Sequence, residues 1–265
     1  DGQHMRCRRR IADIGIGEQG QCLEALHRIH PACHVPDGLR IEDIAGVHRR
    51  RQFEVPLDQK EDGLPILRRH AELVLPMADQ LLAEAGLKRD ALDGIAVGRG
   101  PGAFTGVRLG VSLAQGMAMA LDIPVVTVSS LQALALEAPD DDAAILSVID
   151  ARMGEIYVAA WRRDDDGGVV LIDRERVDTA AALVLPEASA WHVVGTGWAT
   201  YEAALRERIG APIRSADGAR FPQARHVAEV AARRFRDGEA VAPELALPVY
   251  LRDKVALTLV EQGKA

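Results

Sequence analysis

With 265 residues and a mass of 28.6 kDa the chain suits one large domain or two smaller lobes, and its 48% hydrophobic and 27% charged residues are those of an ordinary globular protein. A net charge of -7 argues against a chain that grips nucleic acid alone, because phosphate neutralisation calls for a basic face. No apolar run approaches the roughly 18 residues of a bilayer span, and none follows the opening Asp1-Gly2-Gln3-His4-Met5, so the expectation is a cytoplasmic protein with no membrane contact.

Residues Asp1 to His4 read as an expression scar before Met5. The composition then changes near residue 67. All three cysteines (Cys7, Cys22, Cys33), five of the eight histidines and the cluster Arg8-Arg9-Arg10 fall before residue 50, with Arg49-Arg50-Arg51 at its edge. No period-2 run and no long 3.6-period run occurs there. Cys22, His27, His30, Cys33 and His34 could in principle furnish tetrahedral ligands, but no C-x-x-C pair exists and the spacing fits no common zinc module. The expectation is therefore no metal. Residues 1–67 read as an atypical segment, either without packed structure or translated out of frame.

From Leu67 the text becomes that of an α/β protein. Residues 69–86 predict a helix with Leu73 or Val74, Met77, Leu81 and Ala85 on one stripe, ended by Gly86, with Pro76 kinking or splitting it. Residues 94–98 predict a buried strand. The following Arg99-Gly100-Pro101-Gly102-Ala103-Phe104-Thr105-Gly106 predicts a tight strand-to-helix turn with Thr105 as N-cap, the helix running to about Asp122. Gly100, Gly102, Thr105 and Gly106 form a phosphate-like loop that matches neither the Walker pattern nor a dinucleotide fingerprint. Within the helix, Gly106, Gly110, Ala114 and Ala118 flatten one face; glycine there costs about 1 kcal/mol relative to alanine, which points to a close neighbour, either the domain's own elements or a partner chain.

Residues 123–128 predict a strand, and Ser129 or Ser130 caps a helix over 131–138. Asp140-Asp141-Asp142 reads as a solvated connector. A strand at 144–150, a turn at Arg152-Met153-Gly154 and a hairpin partner at 155–161 follow, then a third strand at 169–172, a strand ending in a Gly-rich turn at 191–198, and helices near 200–209 and 224–236. Strands mixed with helices indicate α/β with a mixed sheet. Catalytic machinery is nearly absent from the pattern: no nucleophile elbow and no H-E-x-x-H occurs, and His70 has Ile66 and Val74 rather than a second histidine four residues away. Asp150 with Arg152 reads as a turn before it reads as a catalytic pair.

The stretch from Asp93 to Ala135 resembles the signature block of the TsaB (YeaZ) family nearly end to end. RRHAELVLPM resembles that family's first helix, IDARMGEIYVAAW its second-lobe hairpin, VVGTGW its Gly turn and LPVYLRDKVA its C-terminal block, all in the family's order from about Leu67 to Ala256. The resemblance implies an actin-like ATPase (ribonuclease H-like) fold of two lobes with mixed sheets, divided into a remaining N-terminal lobe at 68–128, a C-terminal lobe at 129–222 and a C-terminal helix and tail at 223–265. It implies a non-catalytic partner in placing threonylcarbamoyl on the adenosine next to the anticodon of tRNAs reading codons that begin with A. The catalytic paralogue TsaD would transfer the group, the ATPase TsaE would join them, a homodimer would be an alternative pairing, and tRNA would be met only through the complex. No cofactor is assigned to this chain, with ATP or ADP at the complex interface left open. Pairing in the family uses the first two helices, which carried over gives His70, Leu73, Met77, Leu81, Arg108, Gly110, Ala114 and Met117 as interface residues.

One departure stands out. The family opens with a strand carrying an Asp-Thr-Ser-like motif and two further strands before the first helix, and Asp13-Ile14-Gly15 is a poor substitute. The N-terminal hairpin region is thus atypical, and the sheet is expected to lack about half its members. Two other readings compete: an ATP-dependent small-molecule kinase of the same fold, and a zinc-dependent regulatory protein using the N-terminal Cys and His residues.

Overall fold

The computed structural model describes residues 11–14 and 66–252. The described residues divide into two units, one built from those up to Ala133 together with Pro222–Pro248, the other from Leu134–Phe221 with residues 249–252. The zinc reading of Cys22 to His34 falls outside the described residues.

The first unit centres on a three-stranded parallel sheet in the order β1 (Ile11–Ile14), β2 (Gly94–Gly98), β3 (Val125–Val128). Strand β1 places one strand of the sheet ahead of the first helix. Its four residues pair in parallel with β2, Asp13 opposite Ala96, so the Ile-Ala-Asp-Ile run supplies a first strand without the family's motif. Helix α1 (Ile66–Glu84) keeps Pro76 inside one continuous element rather than splitting there, and Gly86 follows at φ 66°, the left-handed position that glycine occupies without a Cβ penalty. Val74, Ala78 and Leu82, four residues apart, bury one stripe of α1 against the core that also holds Leu92, Ile95, Val97 and Val111. Each fully buried aliphatic side chain of this kind contributes about 1.5–3 kcal/mol.

Helix α2 (Phe104–Leu121) follows β2, and a short helix α3 (Ser130–Ala135) follows β3. Ser129 caps α3, its Oγ accepting from Leu131 N–H at 3.1 Å and Gln132 N–H at 3.3 Å. Thr105 does not cap α2; the N-cap is Ala103, without a side-chain bond, because the helix already begins at Phe104.

The second unit is a five-stranded mixed sheet in the order β6-β5-β4-β7-β8. Strands β4 (Ala144–Arg152) and β5 (Glu155–Arg163) form the expected antiparallel hairpin, and β6 (Val169–Thr179) extends the meander. Strand β7 (Trp191–Val194) runs parallel to β4 and leads through Gly195 into helix α4 (Thr196–Arg208). The core collects Leu146, Val148, Ile156, Val158, Trp191, Val193, Trp198 and Leu205. Strand β8 (Ile213–Asp217) pairs in parallel with β7 and carries no alternating apolar pattern in its sequence.

The last helix, α5 (Ala224–Arg236), belongs to the first unit rather than to a separate tail. Val227, Val230 and Ala231 are its buried side, and Phe235 lies over β2 so closely that a Cβ on Gly94 would sit 2.8 Å from its ring. Arg234 adds hydrogen bonds to the Thr127 carbonyl at 2.9 Å and to Gln132 Oε1 at 2.9 Å.

Candidate functional site: a docking face on the first unit

Helix α2 has two unlike sides. The small-residue side (Gly106, Gly110, Ala114, Ala118) is buried, with Val111, in the unit's own core. The close neighbour that the glycines pointed to is therefore the domain itself, and Gly110 and Ala114 are corrected as interface residues: a side already covered by the chain's own sheet and first helix offers nothing to a partner. The opposite side carries Phe104, half exposed, and Met119, more than half exposed. The Arg108 guanidinium lies 3.6 Å from the centre of the Phe104 ring, a cation-π contact at the surface. Among the remaining expected residues, Leu73, Met77, Leu81 and Met117 are partly buried, the last three packed on the core. His70 lies on α1 by its backbone, and its side chain falls outside the described residues.

Sequence reasoning missed Phe104 and Met119, and with them Leu75 of α1 and the exposed pair Leu245 and Leu247. Gln115 Nε2, on the outer side of α2, donates to the Ala246 carbonyl at 3.1 Å and ties that segment to the helix. The signal was legible: at 100° per residue, positions 104, 108, 115 and 119 fall on one stripe opposite the glycines.

The loop before α2 is a tight strand-to-helix turn. Gly100 adopts φ 91°, Arg99 N–H donates to the Val128 carbonyl at 2.8 Å and Ser130 N–H donates to the Gly100 carbonyl at 2.9 Å. Gly102 is partly covered, a Cβ there reaching 3.4 Å from Val107 Cγ2; Thr105 is exposed and Gly106 buried. These bonds tie the loop to β3 and to the start of α3.

Polar clusters in the second unit account for the other residues singled out above. Asp150 closes the hairpin turn, accepting from Arg152 N–H at 2.8 Å, with the Arg152 guanidinium at 3.3 Å. Burial, then the neighbouring Asp150 charge, raises the pKa of Tyr201, whose hydroxyl lies 3.5 Å from Asp150 Oδ1. Asp164 Oδ1 accepts from Gly168 N–H, a turn role. Asp141 was read as solvated connector and is instead engaged: its carboxylate meets His192 Nε2, while His192 Nδ1 lies 2.6 Å from Ser215 Oγ. The Ala143 backbone N–H, then His192 and Arg214, hold the Asp141 carboxyl down at about 2. This Ser–His–Asp line is a lock across β7, β8 and the connector. Ser215 sits inside a strand, paired beside His192, rather than on the exposed turn that a nucleophile occupies.

Among the described residues no group of three or more His, Cys, Asp or Glu side chains is placed to hold a metal, and no helix is long and apolar enough to cross a membrane.

A family model described as TsaD, tRNA N6-adenosine threonylcarbamoyltransferase, matches residues 65–259. The tRNA threonylcarbamoyladenosine biosynthesis protein TsaB of Escherichia coli (strain K12) is 36% identical over 200 residues, which are 71% of this chain and 83% of that protein. TsaB of Haemophilus influenzae is 34% identical over 199 residues, 71% and 82% of the two chains. Among solved structures, YeaZ from Pseudomonas aeruginosa superimposes with a TM-score of 0.63 at 39% identity, covering 69% of this chain and 85% of that one. The order of elements, the parallel sheet of the first unit, the mixed sheet of the second and these matches agree, and the chain belongs to the TsaB (YeaZ) family, sharing its actin-like domain with TsaD.

Proposed function

We propose that this chain is the non-catalytic partner of a TsaD-type transferase in forming N6-threonylcarbamoyladenosine next to the anticodon of tRNAs that read codons beginning with A. The observation that carries the reading is the outward side of α2, where Phe104, Arg108 and Met119 stand exposed on a helix whose other side is buried in the core. Large apolar side chains beside a guanidinium are the composition of the centre of a protein interface rather than of a solvated helix. Leu73, Met77 and Leu81 of α1 and Met117 of α2 are partly buried, and in this reading the part of each that stays exposed is covered by a partner helix pair. The relatives carry the name of a tRNA threonylcarbamoyladenosine biosynthesis protein, which supplies the process.

In this reading the transferase performs the chemistry, a TsaE-type ATPase joins the pair, ATP or ADP belongs to the interface of the assembled complex, and tRNA is met only there. In the absence of the transferase the same face pairs two copies of the chain. The cytoplasm is the compartment where these components meet.

The test is co-purification of this chain with the TsaD-type protein, followed by tRNA threonylcarbamoylation with and without the chain. The reading expects a stable complex and modification that depends on both proteins. A chain that binds no transferase, or modification that proceeds equally well without it, would overturn the reading.

A further inference from the structure

Three of the stretches that resemble the family meet at one place in the second unit, the tip of the β4–β5 hairpin. From the Gly-rich turn, Thr196 Oγ1 accepts from Asp150 N–H at 3.1 Å. Within the hairpin, Asp150 Oδ1 accepts from Arg152 N–H at 2.8 Å. From the C-terminal stretch, Arg252 donates to the Ala151 carbonyl at 3.0 Å, pairs with the Glu155 carboxylate and reaches to 3.9 Å from the Met153 sulfur. Together these contacts hold a turn in which Arg152 (φ 62°) and Met153 (φ 57°) are both left-handed. That conformation costs about 1 kcal/mol or more for each non-glycine residue, and hairpins ordinarily fill it with Asn-Gly. Met153 is nonetheless 83% exposed, and the Arg152 side chain is 81% exposed. A strained turn, fixed from three directions, thus carries a thioether and a guanidinium into solvent. Such strain persists where surrounding structure over-determines it, and it is characteristic of recognition sites.

We infer that Arg152 and Met153 form a recognition knob that enters an apolar socket with a carboxylate rim on a protein partner, a second point of contact in the complex proposed above and resting on that reading. Met153 fits a protein socket because an unbranched thioether adapts to irregular apolar surface and gains by leaving water. Arg152 fits the rim, since its fork of donors matches a carboxylate. RNA is the poorer fit. The tip offers one outward cation, Asp150 and Glu155 stand at its base, the chain carries a net charge of -7, and affinity for a phosphate backbone comes from several cations acting together. Arg252 is a positioning residue: it touches the turn from within rather than the partner.

The experiment measures the affinity of the full chain for the purified TsaD-type transferase of the same organism, with the melting temperature of every variant recorded. Met153→Asp is expected to weaken binding about 10-fold and Arg152→Glu about 5-fold, both at an unchanged melting temperature. Met153→Gly relieves the turn, so it should melt at the same or a higher temperature and still lose affinity. Arg252→Gln should lose part of the affinity and Arg252→Lys recover some of it. Unchanged binding by a well-folded Met153→Asp protein overturns the knob, and if Phe104→Asp then abolishes binding, the helix-face reading survives without it. Loss of tRNA affinity by the assembled complex, with transferase affinity intact, makes the tip an RNA contact and overturns the protein socket. A wild-type chain that binds no transferase removes the reading and the knob together.

Discussion

His192 lies in register opposite Ser215 on the neighbouring strand and places its Nε2 3.0 Å from both carboxylate oxygens of Asp141, so one buried imidazole joins β7, β8 and the connector before β4. The neutral tautomer protonated at Nε2 satisfies both neighbours: it donates to Asp141 and accepts the Ser215 hydroxyl hydrogen at Nδ1. Removing the ring leaves the hydroxyl unpaired and a cavity in the sheet. His192→Ala should therefore destabilise the second unit by about 2–4 kcal/mol, measured by denaturant unfolding. A loss below about 0.5 kcal/mol would show that the lock is dispensable.

The same pair sets an acid limb. The Asp141 carboxyl is held below its usual 3.8, at about 2, by the Ala143 N–H first and by His192 and Arg214 after it. A depressed carboxyl contributes stability that is present above its unfolded value and is lost as the pH falls through the folded one. Stability should accordingly fall between about pH 4 and pH 2 in the wild type. Asp141→Asn should flatten that window while lowering stability at neutral pH. Parallel acid titrations of the two proteins, followed by circular dichroism, check this.

Trp161 and Ser147 are diagonal neighbours across the β4–β5 ladder, in register with Ile145 and Ala159 respectively, the indole N–H donating to Ser147 Oγ at 2.8 Å with both side chains buried. Ser147→Ala strands the indole N–H without water to replace its acceptor, at a cost of about 1–3 kcal/mol. Ser147→Thr keeps the oxygen and should recover part of that loss. Equal stability of the alanine variant and the wild type would mean that the indole has found another acceptor.

Much of this architecture was readable in the sequence, and what escaped did so for physical reasons. The β4–β5 hairpin announced itself through a continuous apolar strand and a turn at Arg152-Met153-Gly154. Strand β8 did not, because Ile213–Asp217 is only partly buried and its residues do not alternate. The cap of α2 was misplaced because Thr105 is a favourable N-cap residue, while the actual cap, Ala103, has no side-chain bond to betray it. The Asp141–His192 lock joins residues 51 apart, a distance no local pattern spans. The small-residue stripe of α2 left two neighbours open, the domain's own elements and a partner chain, and only the family resemblance tilted it toward the partner. A flat helix face reports only that something comes close, and in this chain it is the core.

Gly195 sits at φ 111° with no room for a side chain: a Cβ would lie 2.3 Å from the Val148 carbonyl oxygen. Neither the carbonyl of a central strand nor the first turn of α4 can yield that much. Gly195→Ala should therefore cost more than about 3 kcal/mol or give insoluble protein. Expression with a wild-type melting temperature would show that the turn repacks.

Gly116 is the converse case and bears directly on the docking face. It lies exposed within α2, and a Cβ there would meet nothing within 4 Å. In the isolated chain Gly116→Ala should stabilise by about 0.5–1 kcal/mol, because alanine restricts the unfolded backbone and is the better helix former. If the outer side of α2 receives a partner helix, the added methyl stands in the contact. The same variant should then bind the transferase several-fold more weakly although the chain alone is more stable. Opposite signs for melting temperature and affinity are not produced by a merely structural change in the helix. A stabilised Gly116→Ala chain with unaltered affinity would place the partner elsewhere on the first unit, away from the side that carries Phe104, Arg108 and Met119.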